Sequence, residues 1–180
     1  MARVVLPGGG IVEVFNTHLN SRGAARTSLE RADRAHHYQA EESALFVNQV
    51  RDPRWPAIYG GDFNMRQAHD RIDFFSRHKR PFTLAHRFCT EHPAQCTVRQ
   101  SWDNDAPWMD TQDLQLFAQG SALTIAPVAV EAMFDEPVGA APLADHDGLL
   151  VRYVIGAPPI GHPALHAADA DNMTQTGQPR

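Results

Sequence analysis

One feature constrains the fold more than any other: apolar, β-type runs that meet short polar clusters, three times along the chain. Val14-Phe15 leads into Asn16-Thr17-His18-Leu19, and Ile58-Tyr59 leads into Gly60-Gly61-Asp62-Phe63-Asn64. Asp145-His146-Asp147-Gly148 stands immediately before the apolar run Leu149 to Ile155. Polar residues at the ends of buried strands commonly mark a site in layered α/β folds. If these strands share a core, the clusters converge on one rim and bring acidic, imidazole and amide side chains into a small volume.

The segments between the clusters support that layering. Val4 to Leu6 and Ile11 to Phe15 flank Pro7-Gly8-Gly9-Gly10, so they read as two strands joined by a tight turn. Ala24 to Arg51 reads as one long helix, because Leu29, Ala32, His36, Ala40, Ala44 and Val47 fall three or four apart. Asp52-Pro53 stops it. Trp55 to Tyr59 is a short buried strand, and Gln67 to His78 a short helix with Ile72 and Phe75 on one side. Lys79 to Thr111, broken by Pro81, Pro93 and Pro107, reads as a long loop region. Asp113 to Phe117 and Leu123 to Val130 are strands split by Gly120, and Leu149 to Ile155 is the last strand. From 157 to 180 the chain turns to Pro, Gly, Ala and small polar residues, which predicts a flexible tail after a domain spanning 1–156.

Composition narrows the class. At 180 residues, 43% hydrophobic and 21% charged, the chain fits one ordinary globular domain. No stretch approaches the ~18–20 apolar residues of a membrane span. A net charge of −5 argues against sequence-blind binding to a phosphate backbone, which needs a basic footprint. It leaves room for a phosphate-handling enzyme, since a divalent cation supplies positive charge. Most of the 10 histidines sit in helical or tail contexts and are expected at the surface, His36-His37, His162 and His166 among them. Trp102 and Trp108 either line a groove or pin the long loop. Cys89 and Cys96 lack zinc spacing and form either a small-loop disulfide or two loop thiols. The compartment stays open with them: cytoplasmic, or periplasmic or secreted if they pair and a signal lies upstream.

Carboxylates, histidines and asparagines on one rim are the equipment for metal-assisted hydrolysis of a phosphate ester. The motifs support this more specifically. Val14-Phe15-Asn16-Thr17-His18-Leu19, Tyr59-Gly60-Gly61-Asp62-Phe63-Asn64-Met65 and Leu143-Ala144-Asp145-His146-Asp147-Gly148 resemble three ordered motifs of the endonuclease/exonuclease/phosphatase superfamily. This is the deoxyribonuclease-I-like group, which includes the neutral sphingomyelinases. Gln112-Asp113-Leu114-Gln115-Leu116 is a fourth, weaker match, and the similarity spans roughly residues 4–155.

The resemblance implies a two-sheet α/β sandwich flanked by helices, in four layers, and a role for each matching position. Asp62 would orient or deprotonate the attacking water, and Asn64 would hold a phosphate oxygen. His146 would contact the scissile phosphate, with Asp113 bonded to its far nitrogen, or Asp110 in place of Asp113. His18 would bind or polarise the phosphate, and Asn20 would join that rim. Asp145 would lie at or next to the metal. The implied metal is magnesium, with manganese as a substitute. The implied substrate is a phosphodiester, either nucleic acid or a phospholipid head group, with a slight lean toward sphingomyelinase-type or bacterial phosphodiesterase members.

Two departures from the family pattern stand out. The family's N-terminal block carries a metal-binding asparagine and a later metal-binding glutamate. Here Glu13 is the only acidic residue before His18, and it lies within a strand. The chain therefore resembles the C-terminal two-thirds of such a domain, N-terminally incomplete, for which weak or absent activity is expected. The second departure is Gln112, where the family usually has an aliphatic residue before the aspartate. The alternative expectation is a catalytically impaired fragment or phosphate-binding module of the same fold.

Overall fold

Alternation of apolar and polar side chains builds the large sheet and decides what each of its faces covers. In a computed structural model the described residues are 1–21, 23, 26–76, 81–99, 111–134 and 146–158. The elements run in the order β1 (Ala2–Val5), β2 (Ile11–His18), α1 (Leu29–Val50), β3 (Ala57–Asp62), α2 (Ile72–Ser76), β4 (Thr83–Leu84), α3 (Ala85–Glu91), β5 (Thr97–Arg99), β6 (Asp113–Ala118), β7 (Thr124–Met133) and β8 (Gly148–Gly156). They form a five-stranded sheet in the order β1-β2-β3-β6-β4 and a three-stranded sheet in the order β5-β7-β8. Both sheets are mixed: β2 runs parallel to β3 and β5 parallel to β7, while the other pairings are antiparallel.

One face of the large sheet meets the helices. Phe15, Ala57, Tyr59, Leu114, Leu116 and Ala118 pack there with Ala40, Ala44 and Val47 of α1 and Ile72 and Phe75 of α2. Tyr59 sits at the centre, with the rings of Phe63, Phe75 and Phe82 within 5.0–5.9 Å, edge to face. Fully burying one such ring contributes about 1.5–3 kcal/mol. The opposite face carries Ile58 and Phe117, which meet Ile125, Val151, Tyr153 and Ile155 of the small sheet. Helices α1 and α2, the large sheet and the small sheet thus stack in that order, while α3 packs against the small sheet through Phe88 and Cys89. The outer face of the small sheet carries Arg99 and Arg152 on either side of Glu131 (3.7 and 3.3 Å).

Several sequence expectations need correction. Helix α1 starts at Leu29, five residues later than Ala24, because the Ser28 side chain caps it by accepting the Arg31 N–H. Leu29 then lies in the first turn and is exposed. The segment read as a long loop from Lys79 to Thr111 contains β4, α3 and β5. Each is only two to seven residues long, too short for periodicity to show. His36 is buried rather than at the surface. Cys89 and Cys96 form a disulfide that ties α3 to the entry of β5, and both are buried. Asp145, Asp110, Trp102, Trp108, His162 and His166, and the expected tail from 159 on, lie outside the described residues. Among the described residues no helix is long and apolar enough to cross a membrane.

Candidate active site

Strand register assembles the site. In the β2–β3 pairing His18 stands opposite Asp62, and in the β3–β6 pairing Asp62 stands opposite Asp113. Three residues separated by 44 and 51 positions therefore occupy one rung across three neighbouring strands. The rung lies where β2 and β3 end and β6 begins. Period-two alternation puts all three on the face turned toward the small sheet, the face of Ile58 and Phe117. His146 reaches them from the small sheet's side, two residues before β8.

The distances are short. His146 Nδ1 lies 2.8 Å from Asp113 Oδ2 and 3.8 Å from Asp62 Oδ2. His18 Nε2 lies 3.4 Å from Asp62 Oδ2. The Asp62 side chain is 16% exposed and that of His18 75%, so the carboxylate sits at the floor and the imidazole at the mouth. Burial raises the Asp113 pKa above its ordinary value, and the nearby Asp62 charge adds to the rise; His146 and His18 pull it back. One ligand atom from each of Asp62, Asp113 and His146 falls within 4.8 Å of the others, a group able to hold a metal ion. Two carboxylates in so small a space suit a hard cation that keeps most of its waters.

The local backbone fixes Asp62. Gly61 adopts φ +139°, and a Cβ there would stand 1.9 Å from the Thr17 carbonyl oxygen, so only glycine allows β2 and β3 this approach. Asp62 Oδ1 accepts the Asn64 N–H at 2.7 Å, closing an Asx turn, and Asn64 itself is left-handed at φ 48°. Asn64 Nδ2 donates to the Leu19 carbonyl at 2.7 Å, and the residue is 7% exposed. It therefore ties the end of β3 to the end of β2 from within the core. Asn20 is held toward α1, its N–H donating to Gln39 Oε1 at 2.6 Å.

Beside the rung lies a cavity of about 280 Å³ lined by Asp113, Gln115, Phe134 and His146. Sequence reasoning missed Gln115 and Phe134. Gln115 stands two positions after Asp113, so alternation along β6 was the signal for it; its amide donates to the Leu149 carbonyl at 3.0 Å. Phe134, an exposed ring at φ 61° just past β7, had no signal in the sequence.

No family profile matches the chain, and no curated protein matches it. Solved structures do. A mannosyl-6-phosphatase of Bacteroides thetaiotaomicron superposes with a TM-score of 0.54 at 19% identity, over 81% of this chain and 52% of that one. An endonuclease/exonuclease/phosphatase of Bacteroides vulgatus gives 0.53 at 19%, over 82% and 51%. The chain has the endonuclease/exonuclease/phosphatase fold. A humanized TDP2 of D. rerio shares the fold as well, with a TM-score of 0.55 at 16% identity, over 82% of this chain and 56% of that one. The chain spans about half the length of each of these structures. The sequence motifs and the structural likeness thus agree on the fold, and the rung of His18, Asp62 and Asp113 lies at the strand ends where the motifs fall.

Proposed function

We propose that this chain is a phosphoesterase that hydrolyses a phosphodiester by an activated water, with magnesium as its cation and manganese as a substitute. The observation that carries this reading is the rung His18–Asp62–Asp113 closed by His146, four chemically matched groups from four segments of the chain. Asp62 takes the role of base. Its Oδ1 is occupied by the Asn64 N–H, which leaves Oδ2 to orient the water and accept its proton. The water oxygen bonds to phosphorus as the ester P–O bond breaks. His146 donates Nδ1–H to Asp113, so Nε2 is the atom left for the phosphate, and in the protonated form it donates to a phosphoryl oxygen. His18, exposed at the mouth, holds another phosphoryl oxygen. Asn64 braces the floor of the site, because its amide is bound inward.

Asp145 is assigned to the cation by the family resemblance, and Asp113 would add the carboxylate oxygen that His146 does not use. When bound, the cation offsets the negative charge that grows on the phosphoryl oxygens. The substrate belongs to the phosphodiesters, nucleic acid or a phospholipid head group. The likeness to a mannosyl-6-phosphatase makes a phosphomonoester the natural comparison.

The test is turnover of bis(p-nitrophenyl) phosphate, p-nitrophenyl phosphate and p-nitrophenyl phosphorylcholine with magnesium, with manganese and with chelator. Weak, metal-dependent diester hydrolysis abolished by both Asp62→Ala and His146→Ala is expected. Metal-independent turnover, or turnover that survives either substitution, refutes the reading. Phosphate binding without turnover of any ester would identify a binding module instead.

A further inference from the structure

The mechanism makes no use of His36, yet this imidazole is fully buried on α1 with both ring nitrogens engaged. Nδ1 lies 2.8 Å from Nη1 of Arg71. A guanidinium only donates, so Nδ1 accepts, the ring proton sits on Nε2, and Nε2–H donates to the Phe63 carbonyl at 2.9 Å. Arg71 is held in turn by Asp33, Nη2 to Oδ2 at 2.8 Å. Asp33, Arg71 and His36 thus form a chain from the half-exposed surface of α1 to one backbone carbonyl.

That carbonyl belongs to the residue between Asp62 and Asn64. The other main-chain groups of this turn are also bonded to segments that carry site residues. The Phe63 N–H donates to the carbonyl of Gln112, next to Asp113, at 3.0 Å, and the Asp62 carbonyl accepts the N–H of Leu19, next to His18, at 2.9 Å. His36 supplies a hydrogen bond by which the helix layer holds the same turn, beside the packing of the Phe63 ring on Phe75 of α2. Left-handed Asn64 and the Asp62–Asn64 bond persist only while their surroundings fix them.

We propose that His36 is a positioning residue of the site: through the Phe63 carbonyl it sets the Asp62–Asn64 turn, and with it the direction of the Asp62 carboxylate, without touching substrate. Its catalytic consequence rests on the phosphoesterase reading; its effect on the turn does not. Leucine at position 36 fills the space and removes both bonds. Glutamine carries its amide nitrogen the same number of bonds from Cβ as Nε2, so it restores the bond to the Phe63 carbonyl, the one that acts on the turn.

The experiment compares the parent chain with His36→Leu, His36→Gln and Arg71→Met. Amide hydrogen exchange is read by NMR at Asn64 and Leu19, and kcat and KM with bis(p-nitrophenyl) phosphate and magnesium. In His36→Leu the two amides lose at least about tenfold in protection relative to the strand interiors, and kcat falls by about 10–100-fold with KM nearly unchanged. His36→Gln stays close to the parent in both, and Arg71→Met falls between them. Where His36→Leu does not fold, Arg71→Met against His36→Gln makes the same comparison. Unchanged protection at Asn64 and Leu19 in folded His36→Leu or Arg71→Met overturns the proposal. So does a loss spread evenly over the sheet and equal in His36→Gln. A parent chain without turnover refutes the phosphoesterase reading alone, since exchange at the turn still decides the role of His36.

Discussion

His146 Nδ1 donates to Asp113 Oδ2 across 2.8 Å and so joins the approach to β8 in the small sheet to the first residue of β6 in the large one. The bond fixes the tautomer of His146 and aims its other nitrogen. Asp113→Asn keeps the shape but removes the charge that holds the proton on Nδ1: the amide oxygen is a weaker acceptor, and the amide nitrogen, turned to the ring, donates and reverses the tautomer. We expect kcat to fall about 10–100-fold with little change in melting temperature. Nitrogen-15 NMR of the His146 ring checks the cause directly: the proton leaves Nδ1 in the variant and stays there in the parent.

The same aspartate sets a pH dependence. Its pKa is raised from 3.8, first by burial and then by the Asp62 charge. A carboxyl whose folded pKa is raised favours the folded state while protonated, so its contribution to stability is full below the unfolded value and is lost as pH rises through the folded one. Activity has the opposite sign, because only the carboxylate accepts Nδ1–H from His146. The acid limb of kcat is therefore expected above the ordinary carboxylate value. Carbon-13 titration of the Asp113 carboxyl is the measurement, and Asp62→Asn should move its midpoint down.

The disulfide Cys89–Cys96 staples α3 to the entry of β5 and packs beside Val130 in the space between the small sheet and α3. Closing so short a loop restricts the unfolded chain by about 2–3 kcal/mol in the loop-entropy account. Reduction with dithiothreitol, or the pair of substitutions Cys89→Ala and Cys96→Ala, should lower the melting temperature by several degrees. The rung of His18, Asp62 and Asp113 lies in the large sheet, so turnover measured well below the melting point should change little. Equal melting curves with and without reductant would show that the bridge contributes nothing.

The candidate site was legible in the sequence as a set of strand ends carrying motifs, and so was the sheet that carries it. His18, Asp62 and Asp113 could be read because each sits at a strand terminus, and residues at aligned termini share a rung. The apolar face of α1 was readable from its period at Ala32, Ala40, Ala44 and Val47. His36 was read on that face and yet also assigned to the surface, because an imidazole in a helix looks solvated until its partners, Arg71 and the Phe63 carbonyl, are known. Those partners are 35 and 27 positions away, and no local pattern reports them. The short elements β4, α3 and β5 failed for a different reason: tertiary packing around Phe88, Cys89 and Val130 decides them, not propensity. The inward bond of Asn64 to Leu19 was likewise invisible, since a polar residue after an aspartate reads as a turn exposed to ligand.

Gly61 supplies the most direct check on the architecture of the site. Its φ of +139° is one that side chains rarely adopt, and the nearest neighbour to an added Cβ is backbone, the Thr17 carbonyl oxygen at 1.9 Å. Backbone in the middle of a sheet has no rotamer to change, so Gly61→Ala must push β2 from β3 at the Thr17–Gly61 pair, next to the rung that holds His18 and Asp62. The strain and the displaced packing together should destabilise the fold by about 2–4 kcal/mol. By contrast, the position of Gly9 at φ +91° has nothing within 4 Å of an added Cβ, so Gly9→Ala bears only the conformational term, about 1–2 kcal/mol. Urea unfolding of the two variants side by side separates backbone strain from steric conflict. If Gly61→Ala unfolds no earlier than Gly9→Ala, the close approach of the two strands, and the rung built on it, is wrong.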